Sequence, residues 1–305
     1  MCDEKYVLVI TSKIDTTVDY IIEKYKKVTF FRLDIDRFSD YIIDVGIMGI
    51  WSITDKVNNR KISKEEVCSI YYRKPFFPDL SEFDPAYVGM IQRDIVALIT
   101  GIADEFEGKV LSKPSVLKRS ENKVYQLLYS MKYNLNIPNS YIGNSNDYCK
   151  EFALKKSIIK PLTTGKVQRD GLFEVFQTSM FADFDDDISL TPVYVQDYKN
   201  KKYEVRLTVI DNYIYAVRID TKDKVDWRKD YENHKYTVIE CPQNVKSVCM
   251  KMLSDFGLKF GAFDFIVNEL DEWIFLEVNP NGQWLWLEVS LGLDISQKIV
   301  DYLVR

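Results

Sequence analysis

The chain of 305 residues is long enough for two domains, or for three closely joined subdomains, and for a core that needs no disulfide or structural metal. Its 41 basic and 46 acidic residues give a net charge of −5, which argues against a nucleic-acid-binding protein. A single histidine, His234, excludes multi-histidine metal sites and most histidine-dependent catalysis.

Cysteine usage and the start of the chain predict a cytoplasmic protein. Five cysteines are present, an odd number, and no CxxC pair occurs among them. The first residues carry acids where a signal peptide needs bases, so we expect buried, reduced thiols. No apolar run approaches the roughly 18 residues of a membrane span, so no membrane partner is expected.

The first part of the chain, about 1–115, predicts an α/β domain. The apolar run 6–10 is typical of a buried strand, and 15–27 carries a helical stripe of apolar residues. Four further runs are strand-like: 28–33, 41–45, 47–53 and 69–72. This strand–helix–strand order indicates a βαβ unit in a parallel sheet, followed by a long amphipathic helix over 85–106.

The rest of the chain predicts a subdomain over 116–190 and another over 191–305. The polar, glycine-containing stretch 163–171 is typical of a mobile loop, and 221–235 of a highly charged loop. Predicted helices cover 120–135, 244–256 and 294–304, and the second is expected to stop at Gly257. Predicted strands cover 156–162, 173–181, 191–198, 204–210, 213–219, 260–267 and 273–279.

The last two predicted strands bring acidic side chains together. With a turn at 269–272, Asp264 pairs with Glu277 and lies on the same face as Asn279, since strand side chains alternate. The same pairing puts Ile266 opposite Phe275 on that face. Two close carboxylates repel unless a cation lies between them, and three oxygen ligands suit Mg²⁺ or Mn²⁺. The alternative is a solvent-facing edge with ordinary acids, which the apolar neighbours disfavour.

A magnesium ion held by few carboxylates usually binds substrate phosphates as well. No GxxxxGK[ST] or GxGxxG motif is present, so the phosphate ligands must come from elsewhere. Two lysines are candidates: Lys160 at the end of an apolar strand, and Lys123 on the predicted helix over 120–135.

The order of these motifs resembles the ATP-grasp fold over about 115–305, preceded by an N-terminal α/β (pre-ATP-grasp) domain. The segment FLEVNPNG, 275–282, and the segment IYYRKP, 70–75, are similar to one branch of that family, the maturases of graspetides or microviridin-type peptides. An Arg-Arg-Pro is usual there and is Arg73-Lys74-Pro75 here, so a planar guanidinium is replaced by an ammonium.

The resemblance implies an ATP-dependent ligase with a defined set of site residues. It assigns ATP contacts to Lys123 and Lys160 for the phosphates, Gln196, Asp197 and Tyr198 for adenine, and Glu204 for ribose. It assigns anion stabilisation to Arg206, Arg218 and Arg228, with Arg206 toward the γ-phosphate. It assigns the Mg²⁺ or Mn²⁺ site to Asp264, Glu277 and Asn279.

The activity that the resemblance implies is macrocyclisation of a ribosomal precursor peptide. ATP would activate Glu or Asp side chains as acylphosphates, and Thr or Ser hydroxyls or a Lys amine would displace phosphate, giving an ester or amide. A leader segment would hold the peptide, lysines at 199, 201 and 202 would offer cationic surface, and a homodimer is expected. Two alternatives stay open: a ligase that adds an amino acid to a small molecule or protein tail, and a non-catalytic, nucleotide-regulated binding protein.

Overall fold

The protein is described from a computed structural model that covers residues 5–46, 49–163, 165–169, 172–176, 178–181, 187–223 and 234–305. The chain forms two compact units. Unit 1 comprises Met1–Lys118, Gly257–Phe260 and Gln283–Arg305, and unit 2 comprises Arg119–Phe256 and Gly261–Gly282. The last 23 residues of the chain are part of unit 1, and the predicted boundary at 115 stays a prediction. The division at 190 stays a prediction.

The chain alternates between short strands and helices. Its first part contains β1 (Tyr6–Thr11), α1 (Thr16–Lys24), β2 (Phe30–Asp34), β3 (Tyr41–Val45), β4 (Trp51–Asp55), β5 (Arg60–Ser63), β6 (Val67–Tyr72), α2 (Pro85–Glu105), β7 (Lys109–Leu111) and α3 (Pro114–Ser120). Then follow α4 (Lys123–Lys132), β8 (Ser140–Gly143), α5 (Asn146–Ala153), β9 (Ser157–Lys160), β10 (Lys166–Arg169), β11 (Leu172–Val175), β12 (Ser179–Phe181) and β13 (Val193–Asp197). The chain ends with β14 (Tyr203–Ile210), β15 (Tyr213–Asp220), β16 (Lys235–Ile239), α6 (Gln243–Phe256), β17 (Phe260–Val267), β18 (Trp273–Asn279), α7 (Leu285–Leu291) and α8 (Ile295–Val304).

Unit 1 is built on a parallel sheet of order β2-β1-β6-β7, which confirms the predicted βαβ unit. Helix α1 connects β1 to β2 and begins at Asp15, whose carboxylate accepts from the Thr17 amide at 3.1 Å. A second, antiparallel sheet joins β3, β4 and β5. Its last strand was missed because Arg60 and Lys61 interrupt the apolar pattern.

Helix α2 packs one face into the core of unit 1. Its buried residues recur at helical spacing: Ile95, Ile99, Ile102 and Ala103. By length and composition alone this helix of 21 residues could also cross a membrane. Its four buried residues place one face of the helix in the core of unit 1, whereas most of the apolar window is not buried.

Unit 2 contains an antiparallel sheet of order β12-β9-β13-β8 and a five-stranded sheet of order β16-β15-β14-β17-β18. Helix α6 ends at Gly257, which has a φ of 78° and forms the predicted stop. The stretch predicted as a mobile loop is partly a strand, since β10 pairs with β11 as a hairpin.

The cysteines differ from the expectation at one position. Cys149, Cys241 and Cys249 are free thiols, as predicted. Cys68 is disulfide-bonded, so the prediction that all five thiols are free is wrong there.

The pairing of β17 with β18 is the predicted one in its first half. Asp264 pairs with Glu277, and Ala262 with Asn279. Beyond Asp264 the register shifts, so that Phe265 pairs with Phe275 and Leu276 is the extra residue of a β-bulge. The expected pairing of Ile266 with Phe275 is therefore wrong. Aromatic packing explains the shift. Phe275 lies on the same face as Phe265, opposite to the predicted one, and the centres of the two rings are 5.6 Å apart.

Candidate functional site

Three predicted metal ligands converge at the paired end of β17 and β18. The Asn279 amide nitrogen lies 3.0 Å from an Asp264 oxygen and 3.4 Å from a Glu277 oxygen, so one small volume is bounded by all three side chains. Two carboxylates and one amide are the oxygen-donor chemistry that Mg²⁺ or Mn²⁺ prefers, and rotating the amide by half a turn presents its oxygen. The three side chains fit a divalent cation.

Two cations lie against these acids. Arg206 Nη1 donates to both Asp264 oxygens, at 2.8 and 2.9 Å, and both side chains are largely buried. Lys123 Nζ lies 3.7 Å from a Glu277 oxygen. The site therefore balances two negative with two positive side chains, and a bound anion such as a phosphate would find the cations already in place.

Gly282 lets Arg206 approach. A Cβ at Gly282 would lie 2.6 Å from Arg206 Nη2 and 2.7 Å from the Ala262 Cβ, closer than side chains pack. The Gly282 amide donates to the Asn279 carbonyl at 3.2 Å and so closes the turn after β18. We did not predict this role. The turn signal Pro280-Asn281-Gly282 marks the glycine, but its contact with a strand two positions away in the sheet leaves no mark in the sequence.

The two predicted phosphate lysines come together at the end of β9. Lys160 is the last residue of that strand, lies opposite Tyr194 in β13 and is buried, with its ammonium 4.3 Å from the centre of the Tyr194 ring. Lys123, the first residue of α4, donates to the carbonyl of Pro161 at 2.7 Å. Burial raises the pKa of Tyr194 to about 12, and the negative charge of Glu277 also raises it. The Tyr194 hydroxyl therefore keeps its proton at physiological pH.

The Gln196 side chain is buried with a defined orientation. Its Nε2 donates to Ser140 Oγ and to Tyr194 Oη, both at 2.8 Å. Because the Ser140 hydroxyl itself donates to the Pro138 carbonyl at 2.8 Å, its oxygen is an acceptor, and the Gln196 amide must present nitrogen to it. The Gln196 Oε1 atom is buried and has no hydrogen-bond partner among the described residues.

Gln196 lines a small cavity of about 10 Å³, the size of one water molecule. The cavity is also lined by Lys123, Gln126, Tyr194 and Leu276. The β-bulge explains the last of these, because the extra residue of a bulge takes a new direction. Leu276 directly precedes Glu277, so the bulge brings an apolar side chain into the cavity beside Lys123 and Gln196. We did not predict Leu276 at the site.

Asp197 and Tyr198, the other two residues assigned to adenine, are engaged through their backbone. The Asp197 amide donates to the Asn139 carbonyl at 2.9 Å and the Tyr198 amide to the Lys156 carbonyl at 2.8 Å. The Lys156 ammonium lies 3.8 Å from the centre of the Tyr198 ring. Since both amides are used within the sheet, these two donors are not available to a base edge without a rearrangement.

Glu204 is buried and forms an ion pair with Lys201. It shares a strand face with Arg206, two residues further along β14. Lys202 pairs with Asp271 at 2.8 Å, and Lys199 lies 4.0 Å from Asp197. The expected cationic surface of three lysines is therefore neutralised by acidic partners.

Arg218 is not brought to the acidic trio. In the β14–β15 pair, Arg206 lies opposite Val217 and Arg218 lies opposite Val205, so the two guanidinium groups are on opposite faces of the sheet. Arg218 instead donates to Asp220, which raises its pKa, and lies 4.2 Å from the centre of the Tyr203 ring. Arg228 lies outside the described residues.

The fold is the ATP-grasp fold, as the sequence resemblance predicted. No family model and no curated protein matches the sequence. Among solved structures, the chain is similar to a Chryseobacterium gregarium RiPP-associated ATP-grasp ligase in complex with ADP and a leader and core peptide, with 27% identity and a TM-score of 0.87 over 98% of this chain and 96% of that one.

Two further structures extend the comparison. The macrocyclase MdnB of Microcystis aeruginosa has 26% identity and a TM-score of 0.80 over 98% of this chain and 99% of that one. The macrocyclase MdnC of the same organism, bound with its precursor peptide MdnA, has 24% identity and a TM-score of 0.87 over 98% and 99% of the two chains. The predicted likeness to the peptide-maturing ATP-grasp branch is thus confirmed.

Proposed function

We propose that the protein is an ATP-dependent carboxylate ligase that acts on a ribosomally made precursor peptide. The observation that carries this proposal is the convergence of Asp264, Glu277 and Asn279 with Arg206 and Lys123 at the end of one hairpin. The likeness to the Chryseobacterium ligase, whose structure holds ADP and a leader and core peptide, supports the substrate class.

Each site residue has a defined task in this reaction. Lys123 and Lys160 bind phosphate oxygens, and Gln196 faces the base. Asp264, Glu277 and Asn279 would hold Mg²⁺ or Mn²⁺, which would neutralise charge on the phosphates when bound. Arg206, fixed beside Asp264, stabilises the charge that develops on the transferred phosphoryl group. Glu204 shares the strand face of Arg206 and is the candidate for the ribose hydroxyls.

The chemical steps need no nucleophile from the protein. A Glu or Asp carboxylate oxygen of the peptide attacks the γ-phosphorus and ADP leaves, giving an acylphosphate. A Thr or Ser hydroxyl, or a Lys amine, then attacks the acyl carbon, loses its proton and displaces phosphate. Water would hydrolyse the acylphosphate, so the site must be closed during this interval. The product is a macrocyclic ester or amide.

Several assignments stay predictions within this proposal. Arg218 would need access to the reacting groups from the opposite sheet face, and Arg228 is assigned by resemblance alone. A homodimer and a cytoplasmic location likewise rest on the resemblance and on the sequence features given above. PsnB, an ATP-grasp ligase with 20% identity to this chain, is complexed with a minimal precursor, Mg and ADP in one structure. In another it is complexed with the precursor peptide PsnA2 and AMPPNP.

The experiment that tests the proposal measures ADP release with full-length precursor, leader-only, core-only and no peptide. We expect release only with peptides that carry a core, and affinity that depends on the leader and weakens with salt. Release driven by a free amino acid would favour the small-molecule ligase instead. Nucleotide binding without any peptide-dependent ADP release would favour a nucleotide-regulated binding protein. Equal affinity for leader-only and core-only peptides would remove the role of the leader.

A further inference from the structure

A buried glutamine on α4 holds the backbone of the strand that carries two candidate metal ligands. Gln126 is 4% exposed, its Nε2 donates to the Val278 carbonyl at 2.8 Å, and its Oε1 accepts from the Val278 amide at 3.0 Å. Nε2 also donates to the Ser120 carbonyl at 2.7 Å. Val278 lies between Glu277 and Asn279 in β18, so one side chain joins α4, the end of α3 and the ligand strand.

This contact falls where β18 has no neighbouring strand. β18 is the edge of the five-stranded sheet, and an edge strand presents backbone groups that need other partners. The Gln126 amide provides a donor and an acceptor, as an adjacent strand would. Because both polar backbone groups of Val278 point toward Gln126, those of Glu277 and Asn279 face β17. Both ends of the three-residue segment are therefore fixed.

The same helix carries a phosphate-binding candidate. Lys123 is three residues before Gln126, so both side chains project from one face of α4. The Gln126 amide sets the position of the helix along β18, and Lys123 Nζ then lies 3.7 Å from the Glu277 carboxylate. A shift of α4 by a fraction of a turn would separate this pair.

We propose that Gln126 is a positioning residue for the divalent-cation site, acting through the Val278 backbone on Glu277 and Asn279. The inference rests on the proposed metal site and goes beyond it by assigning a residue that is neither a proposed metal ligand nor a proposed nucleotide contact. Partners that orient metal ligands typically change metal affinity about 10- to 100-fold when they are removed. We expect the lower end of this range, because the effect passes through the backbone.

The test measures Mn²⁺ binding by electron paramagnetic resonance on the full-length protein with ADP present, which needs no turnover. In Gln126→Met, which keeps the length and loses all three hydrogen bonds, the half-saturating Mn²⁺ concentration should rise about tenfold. Met252→Ala is the matched control, because it leaves a cavity at the buried face of α6. It should lower the unfolding midpoint and leave Mn²⁺ binding within about twofold of wild type. Loss of stability in Gln126→Met with unchanged Mn²⁺ binding would overturn the proposal.

Two further measurements keep the outcome decisive. If Gln126→Met does not fold, hydrogen exchange at the Val278 amide in the wild-type protein replaces it, and we expect slow exchange. If this amide exchanges as fast as an exposed amide of an edge strand, Gln126 does not hold the Val278 backbone and the proposal is refuted. Glu277→Gln separates this inference from the proposed function: if it leaves Mn²⁺ binding intact, the metal site itself is wrong, whatever Gln126 does.

Discussion

The guanidinium of Arg206 donates through one nitrogen, Nη1, to both carboxylate oxygens of Asp264, at 2.8 and 2.9 Å. The contact crosses from β14 to its neighbour β17 and places a buried cation beside a candidate metal ligand. Gly282 packs against the same guanidinium, so its position is restricted on two sides. A charge held this firmly requires little reorganisation when negative charge develops next to it.

We expect Arg206→Met to lower peptide-dependent ADP release by about 100-fold, the typical effect of losing one pre-positioned donor. Arg206→Lys should recover part of the rate, because it restores the charge without the fork. The measurement is single-turnover ADP formation at saturating ATP and precursor. Arg93→Met, an exposed arginine of α2, is the control and should be unaffected. A rate for Arg206→Met within threefold of wild type would contradict the role.

Asp264→Ala should lower the free energy of unfolding by about 2 kcal/mol in metal-free buffer, because it leaves the Arg206 guanidinium buried without this partner. Repulsion between Asp264 and Glu277 by itself would predict that removing one of these acids keeps or raises the stability. The structure reverses that expectation, since Arg206 and Lys123 already offset both charges.

Urea unfolding of Asp264→Ala, Arg206→Met and the double variant tests this directly. The double variant should be more stable than the sum of the single losses predicts, because neither charge is then left alone. Additive losses would mean that the two side chains do not depend on each other.

The sequence predicted the site better where it depends on alternation within a strand than where it depends on packing between elements. Asp264, Glu277 and Asn279 lie together because a period of two and a short turn determine their face. The bulge at Leu276 could not be predicted, because it follows from how Phe265 and Phe275 pack. Gln126 is a similar case: a polar residue on the inner face of α4 is visible in the sequence, but its partner 152 positions away is not.

The partners of the charged side chains could not be predicted from the sequence either. The lysines at 199, 201 and 202 were expected to form a cationic surface, yet Lys201 is buried against Glu204. A charge pattern gives the number of charges in a segment and not the partners that strand order provides. For the same reason the face of Arg218 follows only from the observed pairing of β14 with β15.

Glu288→Gln should destabilise the protein by about 2 kcal/mol near neutral pH, and the difference should shrink in acid. Burial alone would raise the pKa of Glu288, but hydrogen bonds from Lys24 and Ser296 outweigh it and hold the pKa below its usual value of 4.5. A carboxyl with a lowered pKa in the folded state contributes its stability above the unfolded-state pKa. That contribution is lost as the pH falls through the folded-state pKa.

The measurement is urea unfolding of wild type and Glu288→Gln at pH 7 and at several values below 4.5. Glu23→Gln provides the control, because Glu23 is 78% exposed and pairs with a surface lysine. A difference between Glu288→Gln and wild type that stays constant down to pH 3 would show that the charge of Glu288 is not what stabilises this contact.

The orientation of the Gln196 amide predicts which purine the protein accepts. With Nε2 held by Ser140 and Tyr194, Oε1 is a buried acceptor that has no hydrogen-bond partner among the described residues. An acceptor there can bind the 6-amino group of adenine, whereas the 6-keto oxygen of guanine or hypoxanthine would meet it as a second acceptor and leave it unpaired. We therefore expect kcat/KM for ATP to exceed that for GTP and ITP by at least about tenfold.

Ser140→Ala tests whether this preference depends on the held amide. Without the Ser140 oxygen the Gln196 amide can turn and present nitrogen to the base, so the ATP preference over ITP should fall about tenfold while turnover with ATP changes little. ITP is the sharper probe, because it lacks the 2-amino group that adds bulk to GTP. Ser189→Ala, at an exposed serine, controls for the loss of a hydroxyl. Equal losses with ATP and ITP in Ser140→Ala would mean that Ser140 supports the strand and does not set the specificity for the base.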